Sequence, residues 1–268
     1  MTAGRDRRAE LAAMLAPVLS ETLVALDFDG TLAPIVERPE DARAAPGAAD
    51  VLTAISNRVA RTAIITGRPA AEAVRLGGFS SVPGLIVCGH YGLERWSSGE
   101  LESPPHAAAV AEARARVEDL LRPERADRWS GASIEDKGHS VAVHTRRAAD
   151  PPAALVAIEP YVTEIARETG LELTPGRLVF ELRPAGVDKG ATLRELVTEM
   201  SPSAVVYAGD DIGDLPAVEA VSALRREGVT GMVICSEADA VVPELRDRAD
   251  LVVRGPEGVL EALRQLLL

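Results

Sequence analysis

The chain has 268 residues, 47% of them apolar and 26% charged, which is enough to bury a core in one large or two modest domains and excludes a disordered or fibrous class. A formal net charge of −12 argues against a nucleic-acid or anionic-membrane partner, since both are held by basic surface. No run of about 18 apolar residues is present to cross a bilayer, and two distant cysteines, Cys88 and Cys235, set in apolar surroundings support no disulfide framework; the expectation is a cytoplasmic monomer.

In chain order, Leu11, Met14, Leu15, Val18 and Leu19 recur at helical spacing and predict an amphipathic first helix. Thr22 to Leu26 is a short apolar run that ends in Asp27-Phe28-Asp29-Gly30-Thr31, which reads as a buried strand feeding a carboxylate-rich loop. A helix is expected over residues 47–58. A second buried strand, residues 62–65, stops at Thr66-Gly67-Arg68-Pro69, with Pro69 suited to the first turn of another helix. A third, residues 85–88, stops at Gly89-His90-Tyr91-Gly92. Continuous apolar strands alternating with helices imply a parallel sheet covered on both faces.

The pattern changes between about Leu93 and Arg183. A helix carrying Val110, Ala113, Val117, Leu120 and Leu121 precedes strands at 130–135 and 140–145 around Lys137-Gly138; a helix at 153–168 then precedes strands at 171–173 and 178–182. This order, helix then two strands, repeated, predicts a small α+β unit inserted into the larger fold, with residues 103–109 as a connection. The expected division is 1–95 and 185–268 for the core and 96–184 for the insert. The parallel pattern resumes with a helix after Lys189, strands at 204–207, 232–234 and 251–253, and a final helix with Val259, Leu260, Leu263, Leu266 and Leu267 on one face.

Ligands of open parallel sheets bind beyond the carboxyl ends of the strands, and those ends hold Asp27, Asp29, Thr66 and Gly209-Asp210-Asp211. Gathering carboxylates is electrostatically costly without a cation, and an all-oxygen set fits a hard ion, magnesium best. Of 29 basic residues only two are lysines, Lys137 and Lys189. A compact ammonium at a site that needs a point charge is not readily exchanged for the broad arginine fork.

Asp27-Phe28-Asp29-Gly30-Thr31, the strand-end Thr66, the downstream Lys189 and Gly209-Asp210-Asp211 together resemble the four signature elements of the haloacid dehalogenase (HAD) superfamily. The resemblance implies an α/β fold, a Rossmann-like parallel-sheet HAD core with an inserted α+β cap domain. It also implies an aspartyl-phosphate mechanism: Asp27 as nucleophile, Asp29 as general acid and base, and Thr66, the adjoining amide of Gly67 and Lys189 around the phosphoryl oxygens. Magnesium would sit among Asp27, the Asp29 carbonyl and Asp210, with Asp211 and Asp214 as ligands or orienters.

The segments Ile134-Glu135-Asp136-Lys137-Gly138-His139, Val179-Phe180-Glu181-Leu182-Arg183-Pro184 and Gly89-His90-Tyr91-Gly92-Leu93-Glu94 are similar to those of trehalose-6-phosphate phosphatases. By that similarity the substrate is a small sugar phosphate, Glu135, Lys137 and Glu181 grip its hydroxyls, and His90 and Arg68 stand near the mouth. The stretch Gly209-Asp210-Asp211-Ile212-Gly213-Asp214-Leu215 departs from that family's pattern at the positions usually held by Thr and Glu. Another sugar phosphate, such as sucrose phosphate or a mannosyl phosphate, is the alternative substrate, and a sugar-phosphate-binding regulator without turnover the alternative class. A receiver domain shares the acids, the Thr and the Lys, but lacks an equivalent of Asp29 and has no place for the insert.

Overall fold

The computed structural model describes residues 3–102, 107–124, 129–176, 178–237 and 242–268. The chain divides into two compact units, Met1–Glu102 with Val187–Leu268, and Ser103–Gly186.

In the first unit the described elements run α1 (Ala3–Leu15), β1 (Thr22–Leu26), α2 (Ala48–Ser56), β2 (Arg61–Ile65), α3 (Ala70–Gly77), β3 (Ile86–Gly89), β4 (Glu94–Ser97) and β5 (Glu100–Glu102). The second unit follows with α4 (Ala107–Leu120), β6 (Ser133–Asp136), β7 (Val141–His144), α5 (Pro151–Thr169), β8 (Leu171–Gly176) and β9 (Val179–Pro184). The chain then returns to the first unit through α6 (Lys189–Met200), β10 (Ala204–Gly209), α7 (Leu215–Arg226), β11 (Thr230–Glu237), α8 (Pro243–Arg246), β12 (Leu251–Arg254) and α9 (Gly255–Leu267).

The larger sheet has the order β12-β11-β10-β1-β2-β3-β4-β5. From β12 to β3 every pair is parallel, and β1 lies at the centre, paired with β10 and β2. Its residues are buried on both sides because successive side chains point to opposite faces, each covered by helices. Val24 and Leu26 join the cluster that includes Leu11, Val51, Leu52 and Leu263 from α1, α2 and α9, whereas Leu23 and Ala25 join Leu193, Leu196, Val218 and Leu224 from α6 and α7. The order reverses about β1, so β1 and β10 present their carboxyl ends beside a topological switch point, where open α/β sheets bind ligands.

The β4–β5 hairpin adds two antiparallel strands to the edge beyond β3, so residues 94–102 belong to the large sheet and the insert begins later than residue 96. Its turn, Ser98 (φ 53°) and Gly99 (φ 89°), has two left-handed residues, as a tight hairpin turn requires. Of the connection expected at 103–109, residues 103–106 lie outside the described residues.

The second unit is a four-stranded antiparallel sheet, β6-β7-β9-β8. One face carries Val141, Val143, Phe180, Leu182 and Leu171, packed with Val110, Val117, Ile158 and Val162 of α4 and α5. The register puts Glu135, Ala142, Glu181 and Thr174 in one row on the opposite face.

Candidate active site

The residue after β1, Asp27, is fixed by its own amide, which donates to Ala208 O on β10 at 2.9 Å. The chain then folds back sharply, with Gly30 N donating to Ala33 O at 2.7 Å and Leu32 N to Phe28 O at 2.8 Å. Gly30 is required twice over: its φ is +72°, and a Cβ there would lie 2.6 Å from even the farther carboxylate oxygen of Asp210, Oδ1. Thr31 Oγ1 donates to that Oδ1 at 3.3 Å, and Ser236 Oγ on β11 donates to Gly30 O at 2.6 Å. The close approach of the two loops therefore sets where the Asp210 carboxylate stands.

Lys189 opens α6, capped by Asp188, whose side chain accepts from Ala191 N. Lys189 is 3% exposed, and its ammonium lies 2.9 Å from Asp27 Oδ2 and 2.7 Å from Asp214 Oδ1. Asp214, fully buried, accepts from four donors: Lys189 Nζ and Tyr207 Oη on Oδ1, and the amides of Asp210 and Asp211 on Oδ2. Both of its oxygens are committed, so Asp214 orients the lysine and the Asp210-Asp211 backbone. Asp211 turns its Oδ1 to Gly213 N at 2.9 Å, the other half of a reciprocal cap.

Four carboxylates, of Asp27, Asp210, Asp211 and Asp214, face one ammonium. Burial pushes the Asp27 carboxyl well above the usual range; Lys189 opposes this, and Asp214 and Asp210 add to it. Burial likewise pushes Asp210 up to about 7, with Asp214 and Asp211 beside it, and raises Asp211. Burial alone would lower Lys189, but Asp27 and Asp214 outweigh it and hold the ammonium protonated. The surplus negative charge is that of a cation site, and carboxylate oxygens of Asp27, Asp210 and Asp214 lie within 4.8 Å of one another. With both Asp214 oxygens taking two donors each, Asp27 and Asp210, which accept fewer, are the side chains of this group suited to bind, and hard oxygen donors of this kind suit a divalent ion.

Beside this cluster a cavity of about 560 Å³ is lined by Asp27, Asp29, Thr66, Gly67, Arg68, Lys189 and Asp211, with Ile35, Val36 and Tyr91 as its apolar wall. Thr66, 1% exposed, follows β2; its amide donates to Cys88 O and its Oγ1 accepts from Arg68 N at 3.1 Å. Gly67 is pressed against the Tyr91 ring, where a Cβ would lie 2.8 Å from the Tyr91 hydroxyl. His90 and Tyr91 both adopt left-handed backbone, φ 47° and 60°, and are locked there by His90 N to Arg68 O and Tyr91 N to Thr66 O. Of these two residues it is Tyr91 that lines the cavity. Arg68 spends its fork on Asp29, with Nε to Oδ2 at 2.7 Å and Nη2 to Oδ1 at 2.8 Å.

The remaining expected residues lie on the second unit. Lys137 falls in the turn after β6 and its Nζ reaches Glu181 Oε2 at 3.1 Å, while Ser140 Oγ donates to Glu181 Oε1 at 2.5 Å. Despite partial burial, these donors hold the Glu181 carboxyl below its usual range. Glu135 pairs with His144 Nε2 at 2.8 Å; it does not pair with Lys137, its neighbour two residues on. Tyr207, Thr31, Ser236, Ser140 and His144 are polar partners to which the sequence pattern assigns no part. The one available signal was a lone Tyr in an otherwise apolar strand.

Solved structures with this fold include a trehalose-6-phosphate phosphatase of Aspergillus fumigatus, 23% identical with a TM-score of 0.74 over 97% of this chain and 96% of that one. They also include a haloacid dehalogenase-like hydrolase of Bacteroides thetaiotaomicron, 16% identical with a TM-score of 0.61 over 91% and 99%. Sheet order, insert and strand-end acids thus define a haloacid-dehalogenase-like fold. Among relatives, a trehalose-phosphate phosphatase of Mycobacterium avium is 36% identical over 221 residues, 78% of this chain and 54% of the relative. An uncharacterised glycosyl hydrolase of Mycobacterium tuberculosis is 37% identical over 212 residues, 74% of this chain and 15% of the relative. The chain thus spans about half the length of the first and a small part of the second. The trehalose-phosphatase family model matches residues 25–244, and the chain belongs to that family.

Proposed function

We propose that this chain hydrolyses trehalose 6-phosphate to trehalose and phosphate, with magnesium bound, through a phosphorylated Asp27. The observation that carries the reading is the buried Asp27 carboxylate held between Lys189 and Asp210 at the wall of a 560 Å³ cavity. Family membership and the similarity to a trehalose-phosphate phosphatase favour this sugar phosphate over others.

In this reading Asp27 attacks phosphorus, and Asp29 gives a proton to the departing sugar oxygen, then takes one from the water that hydrolyses the acyl phosphate. Thr66 Oγ1, the Gly67 amide and Lys189 hold the phosphoryl oxygens as charge spreads over them. Asp27, Asp210 and the Asp29 carbonyl would hold the ion, with Asp211 as a neighbouring acid, and Asp214 keeps the lysine in place. A bound magnesium ion supplies neutralising charge, which lets Asp27 stay ionised. Glu135, Lys137 and Glu181, with His90, are the proposed partners of the sugar: carboxylates accept from hydroxyls and the ammonium donates to them. Activity as a cytoplasmic monomer without nucleic acid or membrane accompanies this reading.

The test is magnesium-dependent phosphate release from trehalose 6-phosphate against sucrose 6-phosphate and mannosyl phosphates, with Asp27→Asn as the blank. The expected result is a preference of tenfold or more for trehalose 6-phosphate; the same preference for another sugar phosphate removes the substrate assignment.

A further inference from the structure

The Arg68 side chain is only 11% exposed, and two of its three guanidinium nitrogens are committed to one carboxylate. Its Nε and Nη2 make a two-point pair with both oxygens of Asp29, 39 residues earlier in the chain. Its third nitrogen, Nη1, stands 3.5 Å from Glu72 Oε1 on α3, and the guanidinium carbon lies 5.6 Å from the centre of the Phe28 ring. Its backbone is pinned as well, because its amide donates to Thr66 Oγ1 and its carbonyl accepts from His90 N. Asp29, by contrast, has a side chain 38% exposed at the cavity wall. The more exposed partner of the pair is therefore the carboxylate, and the more enclosed one is the arginine.

We propose that Arg68 is a positioning residue that aims Asp29, so that it governs proton delivery to the leaving oxygen without gripping the substrate. This rests on the reading of Asp29 as the proton carrier. In the first half-reaction the Asp27 oxygen–phosphorus bond forms, the phosphorus–sugar oxygen bond breaks, and the proton of Asp29 goes to that sugar oxygen. In the second, water oxygen bonds to phosphorus, the Asp27 oxygen–phosphorus bond breaks, and the proton of water goes to Asp29. A planar fork that holds two oxygens fixes the direction of the carboxylate, which a single-point ammonium cannot do.

The distinction is read from the leaving group. An alkoxide of a sugar needs a proton as it departs, and positioned acids contribute about 10²–10⁴-fold there; p-nitrophenolate departs without one. Arg68→Ala and Arg68→Lys are compared with wild type in magnesium buffer, on trehalose 6-phosphate in the steady state and on p-nitrophenyl phosphate by stopped flow. Both variants are expected to lose about 10²-fold or more in kcat on the sugar phosphate with KM within about threefold. The burst of p-nitrophenolate, which reports phosphorylation of Asp27, is expected to keep its rate within about threefold while the steady rate after it slows. Arg68→Lys retains the charge and most of the stem, and carries the comparison should Arg68→Ala fail to fold. Equal losses in the sugar-phosphate rate and the burst, full activity in the lysine variant, or a tenfold rise in KM at unchanged kcat each overturn the proposal. A wild type that releases no phosphate from either compound overturns the phosphatase reading and this inference together. A wild type active on both with any of the three preceding outcomes overturns the inference alone.

Discussion

Replacing Gly30 by alanine separates two costs that the structure puts in one residue. The backbone cost is that of a Cβ at φ +72°, about 1–2 kcal/mol for a left-handed residue. The positional cost falls on Asp210, whose Oδ1 would be 2.6 Å from the new carbon, against an ordinary contact of 3.4 Å or more, so this oxygen has to recede by at least about 0.8 Å. Gly99 supplies the control, since its φ is +89° but a Cβ there meets nothing within 4 Å. The expectation is that both Gly30→Ala and Gly99→Ala lower the melting temperature, by about 2–8 °C at 2–4 °C per kcal/mol. Only Gly30→Ala should weaken magnesium, because a misplacement approaching 1 Å costs on the order of 10²-fold in a constellation of this kind. Magnesium titrations of phosphate release for the two variants and wild type give the comparison. Half-saturation in Gly30→Ala within twofold of wild type, with kcat unchanged, would refute the argument that Asp210 holds the ion from the position seen here.

Tyr207→Phe removes one of the four donors to Asp214 while leaving Lys189 on the same oxygen; a hydrogen bond to a charged group is worth about 1.5–3 kcal/mol, so the melting temperature should fall by roughly 3–12 °C with KM unchanged. A rise in KM without loss of stability would place Tyr207 in substrate binding instead. The pH dependence of metal-free stability follows from the raised carboxyls. Asp27 lies well above its ordinary value and Asp210 at about 7, against about 3.9 in an unfolded chain, so between these values the folded protein binds more protons than the unfolded one. Metal-free stability should fall as pH rises from about 4 to about 7, and magnesium, which needs ionised carboxylates, should raise the melting temperature more at pH 7.5 than at pH 5.5. An equal or larger increment at pH 5.5 would contradict a metal site built on these acids.

Asp27, Thr66 and Asp210 were legible because each directly follows a continuous apolar run, and parallel strands deliver their carboxyl ends to one edge. Lys189 was legible from the scarcity of lysine. What the sequence could not show is pairing between distant segments. Arg68 and Asp29 are 39 residues apart and their pairing depends on β1 and β2 lying side by side. Tyr207 sits in a strand whose other residues are apolar or glycine, and only the return of the chain at Ile212-Gly213-Asp214 brings a carboxylate beneath its hydroxyl. The β4–β5 hairpin escaped because its strands, Glu94-Arg95-Trp96-Ser97 and Glu100-Leu101-Glu102, are mostly polar, with Trp96 alone contributing to the core. On the second unit, Lys137 pairs with Glu181 and Glu135 with His144 because the register of β6, β7 and β9 opposes proximity along the chain.

The phosphorylated aspartate tests the account most directly. Magnesium-loaded protein is mixed with trehalose 6-phosphate carrying radiolabelled phosphate, quenched in acid within one turnover, and digested for mass spectrometry. The label should be found on the carboxylate of Asp27 and be lost in Asp27→Asn; label on Asp210, or phosphate released with no aspartate ever labelled, would contradict it.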